Sequence, residues 1–301
     1  MSSATAPPDS RFEAGLWPWL ALLGGNAALA LGPWLLRLTD TGPVAAAFWR
    51  LLLPIPLFAV LAWRERLGAR LSGPALALLV IGGVAFALDL ASWHVGIERT
   101  RLGNATLFGN SGSIILMVVG ILALRRWPTL AEGLAILAAL AGAAILFGQS
   151  LEISVRTLRG DLFCLLAGVF YAGYLLPAHR VRRTIGQWSV LLVVCLSAAP
   201  VVLGIALALG EPVLPGSAGF GPVVALALSS QVVGQGLLVF ALKHFPPLII
   251  GMVLLTQPAL AALTGWLAFG ETLAPLDILG MALIGAALVI ARVRREKPSG
   301  T

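Results

Sequence analysis

Apolar stretches of about twenty residues, the length at which a helix crosses the roughly 30 Å hydrocarbon core of a bilayer, recur from end to end of this chain. Hydrophobic residues make up 59% of the sequence and charged residues 11%, whereas about a quarter of a soluble domain is charged. In hydrocarbon the backbone satisfies its polar groups only within a helix or a closed barrel. The stretches lack the apolar–polar alternation of barrel strands, so the sequence predicts an all-α polytopic membrane protein.

Short links between the stretches predict ten transmembrane helices. Links such as 39–43 and 125–128 are rich in Pro, Gly and Arg and leave no room for a soluble domain. The first span is predicted to be retained, because its apolar run is longer than that of a signal peptide and no small-residue cleavage site is evident. The predicted spans are 15–37, 43–63, 74–96, 104–124, 129–148, 160–178, 187–209, 218–242, 247–269 and 275–292.

The two halves of the chain share a sequence pattern. Residues 139–146, Ala-Leu-Ala-Gly-Ala-Ala-Ile-Leu, match 282–289, Ala-Leu-Ile-Gly-Ala-Ala-Leu-Val, and a Thr-Leu pair precedes each. Five spans are an odd number, so the second half would cross the membrane in the opposite sense. Inverted repeats of this kind are typical of secondary transporters, with the substrate site between the repeats. We predict a first five-helix repeat over 1–149, a connecting loop over 150–159, an inverted second five-helix repeat over 160–292 and a basic cytoplasmic tail over 293–301.

The distribution of positive charge predicts the orientation. If the N-terminus is inside, fourteen of the twenty Lys and Arg residues fall on the inner side and five on the outer side, while Arg50 lies within a span. Both termini are therefore predicted to be cytoplasmic, in the inner membrane of a bacterium. The net charge of +7 follows from this topology and from contact with membrane lipid, and no basic face with interleaved aromatic residues suggests nucleic acid as a partner.

Few residues in the sequence suggest bound metals or cofactors. Cys164 and Cys195 lie inside predicted spans without CxxC spacing, and the three histidines are scattered. We therefore expect no metal, no cofactor and no disulfide framework. No nucleotide-binding loop is evident, which leaves a substrate gradient or proton exchange as the driving force.

The layout of five plus five spans, the segment Leu-Ala-Phe-Gly-Glu-Thr-Leu at 267–273 and the Gly-rich last span resemble the EamA group of the drug/metabolite transporter superfamily over nearly the whole chain. The first half departs from this pattern, since Trp127-Pro128 stands where the second half has Gly270-Glu271. The length and layout are similar to the bacterial amino-acid exporters, including exporters of aromatic amino acids. This resemblance implies a ten-helix basket whose central cavity is lined by the third, fourth, eighth and ninth spans and parts of the first and sixth.

Arg50 and Asp89 are charges deep within the second and third predicted spans. Each lies seven residues from the outer end of its span, which is about 10 Å at a rise of 1.5 Å per residue. A charge in hydrocarbon is normally paired, solvated or functional, so we predict that the two side chains meet. The pair is either a static clamp between neighbouring helices or a part of proton coupling.

Neutral polar residues within the spans are candidates for substrate binding, because a cavity that releases its cargo needs moderate contacts. Aromatic residues of the third and sixth spans could form its walls, and the resemblance matches Tyr171 to an aromatic site of the aromatic amino-acid exporters. Alternatively, each polar residue could have a structural role and form a hydrogen bond with a neighbouring helix without binding substrate. The candidates are Asn26, Trp93, His94, Asn110, Ser111, Tyr171, Tyr174, Gln231, Gln235 and Gln257, and Pro54, Pro177 and Pro258 are candidate hinges.

Together these features predict an inner-membrane exporter of amino acids, aromatic and other neutral, or of similar amphipathic metabolites. It would work by alternating access without chemistry on its cargo, so we do not expect an enzyme, and a monomer would hold a complete pathway. One alternative is a drug/metabolite proton antiporter, which would favour a membrane carboxylate facing the cavity. Another is a nucleotide-sugar carrier, which would favour several buried Lys and Arg residues. A structural membrane subunit is the alternative outside transport.

Overall fold

The computed structural model describes residues 15–66, 71–100, 102–148, 154, 156–269 and 273–296. These residues form helices and short links, without strands. In chain order the helices are α1 (Leu16–Ala30 and Gly32–Arg37), α2 (Pro43–Leu52 and Ile55–Arg64), α3 (Gly73–Ile97), α4 (Leu102–Gly109 and Ser111–Leu124), α5 (Leu130–Gly148), α6 (Leu158–Val181), α7 (Gln187–Ala208), α8 (Phe220–Leu226, the π-helical Ala227–Gln235 and Gly236–Leu242), α9 (Pro247–Leu254 and Gln257–Phe269) and α10 (Pro275–Glu296).

In the described part of the chain, nine helices are long and apolar enough to cross a membrane. The remaining one, α9, is broken after Leu254, and its apolar part, Pro247–Leu260, is shorter. Half of the predicted connecting loop at 150–159 lies outside the described residues, as does Glu271 of the resembling segment. The helix α6 begins at Leu158, two residues before the predicted start of the second repeat.

Proline explains several starts and interruptions. Pro43 and Pro247 occupy the first helical turn, where the missing N–H removes no hydrogen bond. Pro54 separates the two parts of α2, and Pro258 is the second residue of the helix that follows the break in α9. Pro177, in contrast, lies inside the continuous helix α6. Two of the three predicted hinge residues therefore lie at actual interruptions.

The helices of one half pack mainly on helices of the other half. The pairs are α3 with α6, α1 with α8, α2 with α7, α4 with α9 and α5 with α10. At the contact of α5 with α10, a Cβ on Gly142 would lie 2.6 Å from the carbonyl oxygen of Gly280, so this close approach requires glycine. Large apolar side chains such as Ile81, Leu122 and Leu137 are mostly exposed on the outside, where lipid would cover them.

Two glutamates join the ends of α2 and α7 on opposite sides of the molecule. Glu65 follows α2 and accepts hydrogen bonds from the backbone N–H (2.9 Å) and hydroxyl (2.9 Å) of Ser189 in the first turn of α7. Glu211 follows α7 and accepts one from the backbone N–H of Ala45 (2.8 Å) in the first turn of α2. These are helix N–H groups that lack a partner within their own helix. We call Glu65 and Glu211 the reciprocal caps.

Glycine stands at the start of both capped helices. Gly42 precedes α2, Gly186 precedes α7, and both have extended backbone conformations. A Cβ at Gly42 would collide with the carboxylate of Glu211, and one at Gly186 would collide with that of Glu65. The absence of a side chain at these positions is what lets each carboxylate reach the helix end.

Candidate functional site

Side chains from five helices meet in the interior between α2, α3, α6, α7 and α8. Most of them are polar or aromatic, in a protein whose interior is otherwise largely apolar. We call this group the central cluster: Arg50, Phe86, Asp89, Tyr171, Tyr174, Cys195, Gln231 and Gln235.

Aromatic rings form one side of the central cluster. The rings of Phe86 and Tyr174 stack with centroids 4.5 Å apart, and Tyr171 lies 6.0 Å from Tyr174 and 6.5 Å from Phe86. Tyr174 is fully buried and its hydroxyl donates to Oε1 of Gln235 at 3.1 Å, whereas Tyr171 is only half-buried. Phe86 was not among the predicted residues, although it lies one helical turn before Asp89 on α3.

The amides of the cluster come from the π-helical part of α8. Gln231 is fully buried, accepts from Nε of Arg50 at 3.3 Å and donates through Nε2 to Sγ of Cys195 at 3.4 Å. Because π-helical hydrogen bonds join residues five apart, a spacing of four is close to one turn, and Gln231 and Gln235 face the same side. Such wide turns occur frequently at functional sites.

Arg50 and Asp89 both belong to the cluster, but the predicted direct ion pair is not formed. The ion pairs among the described residues are Arg99 with Glu98 and Arg126 with Glu132. Arg50 instead donates to Gln231 and holds its guanidinium carbon 5.9 Å from the centroid of Phe86. Asp89 remains within electrostatic range of Arg50. The physical reason is that Gln231 and Phe86 fix the guanidinium away from the carboxylate.

Trp93 and His94 lie further along α3. His94 is buried, and its Nδ1 contacts the carbonyl oxygen of Leu90 at 2.5 Å, so it is not solvated at the interface. Its ring meets the half-buried ring of Trp93 edge-on at 5.2 Å. Trp93 in turn packs beside Gly109, directly before the interruption of α4.

Asn26 joins α1 to the break in α9. Its Nδ2 donates to the carbonyl oxygen of Val253 at 2.9 Å and to Oγ1 of Thr256 at 2.7 Å. Its Oδ1 accepts from Nε2 of Gln257 at 3.0 Å. The three side chains therefore satisfy backbone and side-chain groups exposed where the helix is interrupted. Thr256 was not among the predicted site residues. Its position directly before Gln257-Pro258 is the sequence feature that could have pointed to it.

Asn110 and Ser111 lie at the interruption of α4 and do not join the central cluster. Nδ2 of Asn110 donates to the carbonyl oxygen of Thr106 at 2.8 Å on the same helix, and Oδ1 accepts from Ser113 at 3.4 Å. The hydroxyl of Ser111 donates to the carbonyl oxygen of Leu165 on α6 at 3.2 Å. Both residues use their polar groups to hold the broken helix and its neighbour.

The protein is thus a helical membrane protein with a polar and aromatic cluster in its interior, and it belongs to the EamA-like transporter family. The family model matches residues 16–148 and 158–293, which confirms the resemblance noted in the sequence. The chain is 24% identical over 258 residues to the "Uncharacterized transporter YwfM" of Bacillus subtilis (strain 168), covering 85% of this chain and 86% of that protein.

A second relative has a named cargo. The chain is 27% identical over 238 residues to the "Threonine/homoserine exporter RhtA" of Escherichia coli (strain K12), covering 79% of this chain and 77% of the exporter. A solved structure titled "Crystal structure of protein" matches with a TM-score of 0.72 and 18% identity, over 96% of this chain and all of the solved one. This last likeness shows a shared fold.

Proposed function

We propose that this protein is a secondary transporter that exports neutral amino acids, aromatic ones included, across the bacterial inner membrane. The observation that carries the proposal is the central cluster, in which a guanidinium, a carboxylate, two amides and three aromatic rings converge inside an apolar bundle. Polar groups at such depth are functional-site candidates in membrane proteins. The similarity to an exporter of threonine and homoserine supports amino acids as the class of cargo.

We also propose that α1–α5 and α6–α10 are inverted repeats and that α9 crosses the membrane despite its break. The helix contacts support this arrangement. If each helix of one half is replaced by the corresponding helix of the other half, the contact α3–α6 becomes α8–α1, which is also formed. The contacts α2–α7, α4–α9 and α5–α10 are mapped onto themselves. The corresponding helices α4 and α9 are both interrupted, which is typical of helices beside a transporter's substrate site. In this arrangement both termini are cytoplasmic, and one chain holds the whole pathway.

Alternating access would proceed by rocking of paired helices about the central cluster, without chemistry on the cargo. The interruptions at Pro54 and before Pro258 provide points at which α2 and α9 can bend. Pro177, inside α6, is the third proposed hinge. Asn26, Asn110, Ser111, Trp93 and His94 then belong to the walls and joints around the pathway, and Gln257 supports the joint in α9.

The direct test is transport by the purified protein in liposomes. We expect saturable flux of labelled threonine, homoserine, phenylalanine, tryptophan or methionine above that of empty liposomes. Flux without a pH gradient would indicate a facilitative carrier, and flux that needs the gradient would indicate proton exchange. The absence of flux of every amino acid by folded protein would contradict the proposal and would turn attention to drugs or nucleotide sugars.

A matched pair of glutamine variants tests whether the cluster serves transport rather than a structural subunit. Gln235→Leu changes the cluster, while Gln187→Leu changes the first residue of α7, away from it. We expect the first variant to lose flux while keeping a folded elution profile, and the second to keep flux. Normal flux in a folded Gln235→Leu variant would contradict a role of this amide in the pathway.

A further inference from the structure

Arg50 has more hydrogen-bonding capacity than its neighbours use. Its Nε donates to Gln231, and the face of Phe86 lies beneath the guanidinium, so the position of the group is fixed from two sides. Among the described residues no other nitrogen of Arg50 has a hydrogen-bond partner. Its two terminal amino groups, which form the fork that binds carboxylates in two-point fashion, are therefore available to a ligand.

Asp89 is a carboxylate without hydrogen-bond donors. It follows Phe86 by three residues, so both side chains lie on the same face of α3. In the part of the chain that the structure describes, no group donates a hydrogen bond to it, and its side chain is half-buried. The charge that acts on it is that of Arg50. A static clamp between helices would require direct contact, and the two groups do not make one.

Opposite charges that belong to one interior cluster without touching fit a ligand that carries both charges. We propose that Arg50 and Asp89 bind the backbone of an α-amino acid, Arg50 holding its carboxylate and Asp89 its ammonium group. The inference rests on the proposed function and names the groups that recognise its cargo. An amino acid carries the two charges on one carbon, so each protein charge gains an opposite partner, and the desolvation cost of both is offset when cargo is bound.

The remaining side of the cluster faces the variable part of the cargo. Tyr171 is the half-buried ring beside Phe86 and Tyr174, whereas those two are fully buried against each other. Tyr171 then meets the amino-acid side chain. A binding site that reads the backbone through charge and the side chain through one aromatic ring accepts several neutral amino acids.

The first test uses the unchanged protein, so it does not depend on the folding of a variant. Uptake of labelled L-phenylalanine into liposomes is measured in competition with L-phenylalanine, with 2-phenylethylamine, which lacks the carboxylate, and with 3-phenylpropionate, which lacks the ammonium group. We expect each analogue to compete at least about tenfold more weakly than L-phenylalanine, since a missing group leaves one protein charge unpaired. An analogue that competes as well as phenylalanine overturns the proposal. If threonine is the better cargo, threoninol and 3-hydroxybutanoate take the place of the analogues.

The second test exchanges the charges. For purified Asp89→Asn, we expect 3-phenylpropionate to raise the unfolding temperature at least as much as phenylalanine does. For Arg50→Gln, we expect 2-phenylethylamine to raise it at least as much as phenylalanine does. The controls are Glu98→Gln and Arg99→Gln, which remove exposed charges near the end of α3 and should keep the preference for phenylalanine.

The outcomes separate the two proposals. Amino-acid flux by the wild type, together with an unchanged preference in both folded charge variants, overturns the role of Arg50 and Asp89 and leaves the transport function standing. Absence of amino-acid flux and binding by the wild type overturns both.

Discussion

Asn26 shows how a single buried amide holds two membrane helices together. All of its hydrogen-bonding partners lie on α9, more than two hundred residues later in the chain. In hydrocarbon no water can replace a lost partner, so each group left behind would carry the cost of its own burial. The amide thus determines where α1 meets the break in α9.

Replacement of Asn26 by alanine should lower the free energy of unfolding by about 1–3 kcal/mol, because Nε2 of Gln257 and the carbonyl oxygen of Val253 lose a partner. Ser230→Ala is the control, since the Ser230 hydroxyl is buried without a hydrogen-bond partner among the described residues and its loss should have little effect. Thermal unfolding in detergent compares the two variants. Equal shifts would contradict the assigned role of Asn26.

The residues of the interior were partly predictable from sequence. Single polar residues in apolar spans cannot face lipid, which is why Asn26, Gln231 and Gln235 could be expected inside. Their partners could not be predicted, because the contact of Arg50 with Gln231 instead of Asp89 depends on the rotation of α2 and α8 about their axes. Sequence spacing gives the depth of a side chain in its span and leaves this rotation open.

Among the helices, α5 and α10 depend on close packing between glycines. A Cβ on Gly142 would lie 2.6 Å from the carbonyl oxygen of Gly280 and 2.8 Å from Ile284, so the helices would have to separate. The stretches that the two halves share, 139–146 and 282–289, lie in these two helices and are rich in Ala and Gly. The structure places the tightest approach at Gly142 and Gly280.

Gly142→Ala should therefore destabilise the protein by about 1–3 kcal/mol, as overpacking does in a filled interior. Gly133→Ala, on the same helix, has open space around its Cβ and should be neutral or slightly stabilising, since alanine is the better helix former. Thermal unfolding of the two variants distinguishes packing from helix propensity. A stabilised Gly142→Ala variant would show that the two helices can separate without cost.

The reciprocal cap at Glu211 predicts a pH dependence. Burial raises the pKa of the Glu211 carboxyl above its ordinary value; hydrogen bonds from the N–H groups of Ala45 and Val44 oppose this, and the nearby Glu98 adds to it. Because this pKa is higher in the folded state than in the unfolded state, the folded protein takes up the proton at a higher pH. The ionised carboxylate therefore lowers the free energy of unfolding at neutral pH, and this destabilisation disappears as the pH falls.

Glu211→Gln, which cannot ionise but keeps an acceptor oxygen, should consequently unfold at a slightly higher temperature than the wild type at pH 7. The difference should shrink on acidification through the raised pKa, as measured by thermal unfolding at several pH values. Other carboxylates contribute equally to both proteins and cancel in the comparison. A difference that grows on acidification would mean that the charge itself stabilises the cap.

The extents of the helices followed from the sequence more closely than their interruptions did. Hydropathy and the Pro and Gly residues of the links give bounds within a few residues, as for α3, predicted at 74–96 and found at Gly73–Ile97. Pro258 marked α9 as a helix that could bend, but the exact break after Leu254 and the π-helical turns of Ala227–Gln235 were not predicted. Both features have partners in other helices: Asn26 bonds the carbonyl oxygen of Val253 beside the break, and Arg50 bonds the side chain of Gln231 in the π-helical turns.

For the molecule as a whole, the proposed inverted repeats predict the side of the membrane on which each end lies. Reporter proteins fused after residue 301 and before residue 1 should both be cytoplasmic. A fluorescent protein, which matures only inside, and alkaline phosphatase, which is active only outside, provide complementary readouts. A fusion to the link between α1 and α2, at 38–42, is the control and should report the outer side. Termini found on opposite sides would contradict an even number of crossings, and both termini found outside would contradict the proposed orientation.

The reciprocal caps also constrain the order in which this protein can be completed during synthesis. Glu65 is separated by 124 residues from the Ser189 that it holds, and Ala45 by 166 residues from Glu211. The first half therefore enters the membrane with the amides of α2 and the carboxylate of Glu65 both without their native partners. They acquire them only after α7 has left the ribosome and been inserted, so α2 waits in an incomplete state while at least 124 further residues are synthesised.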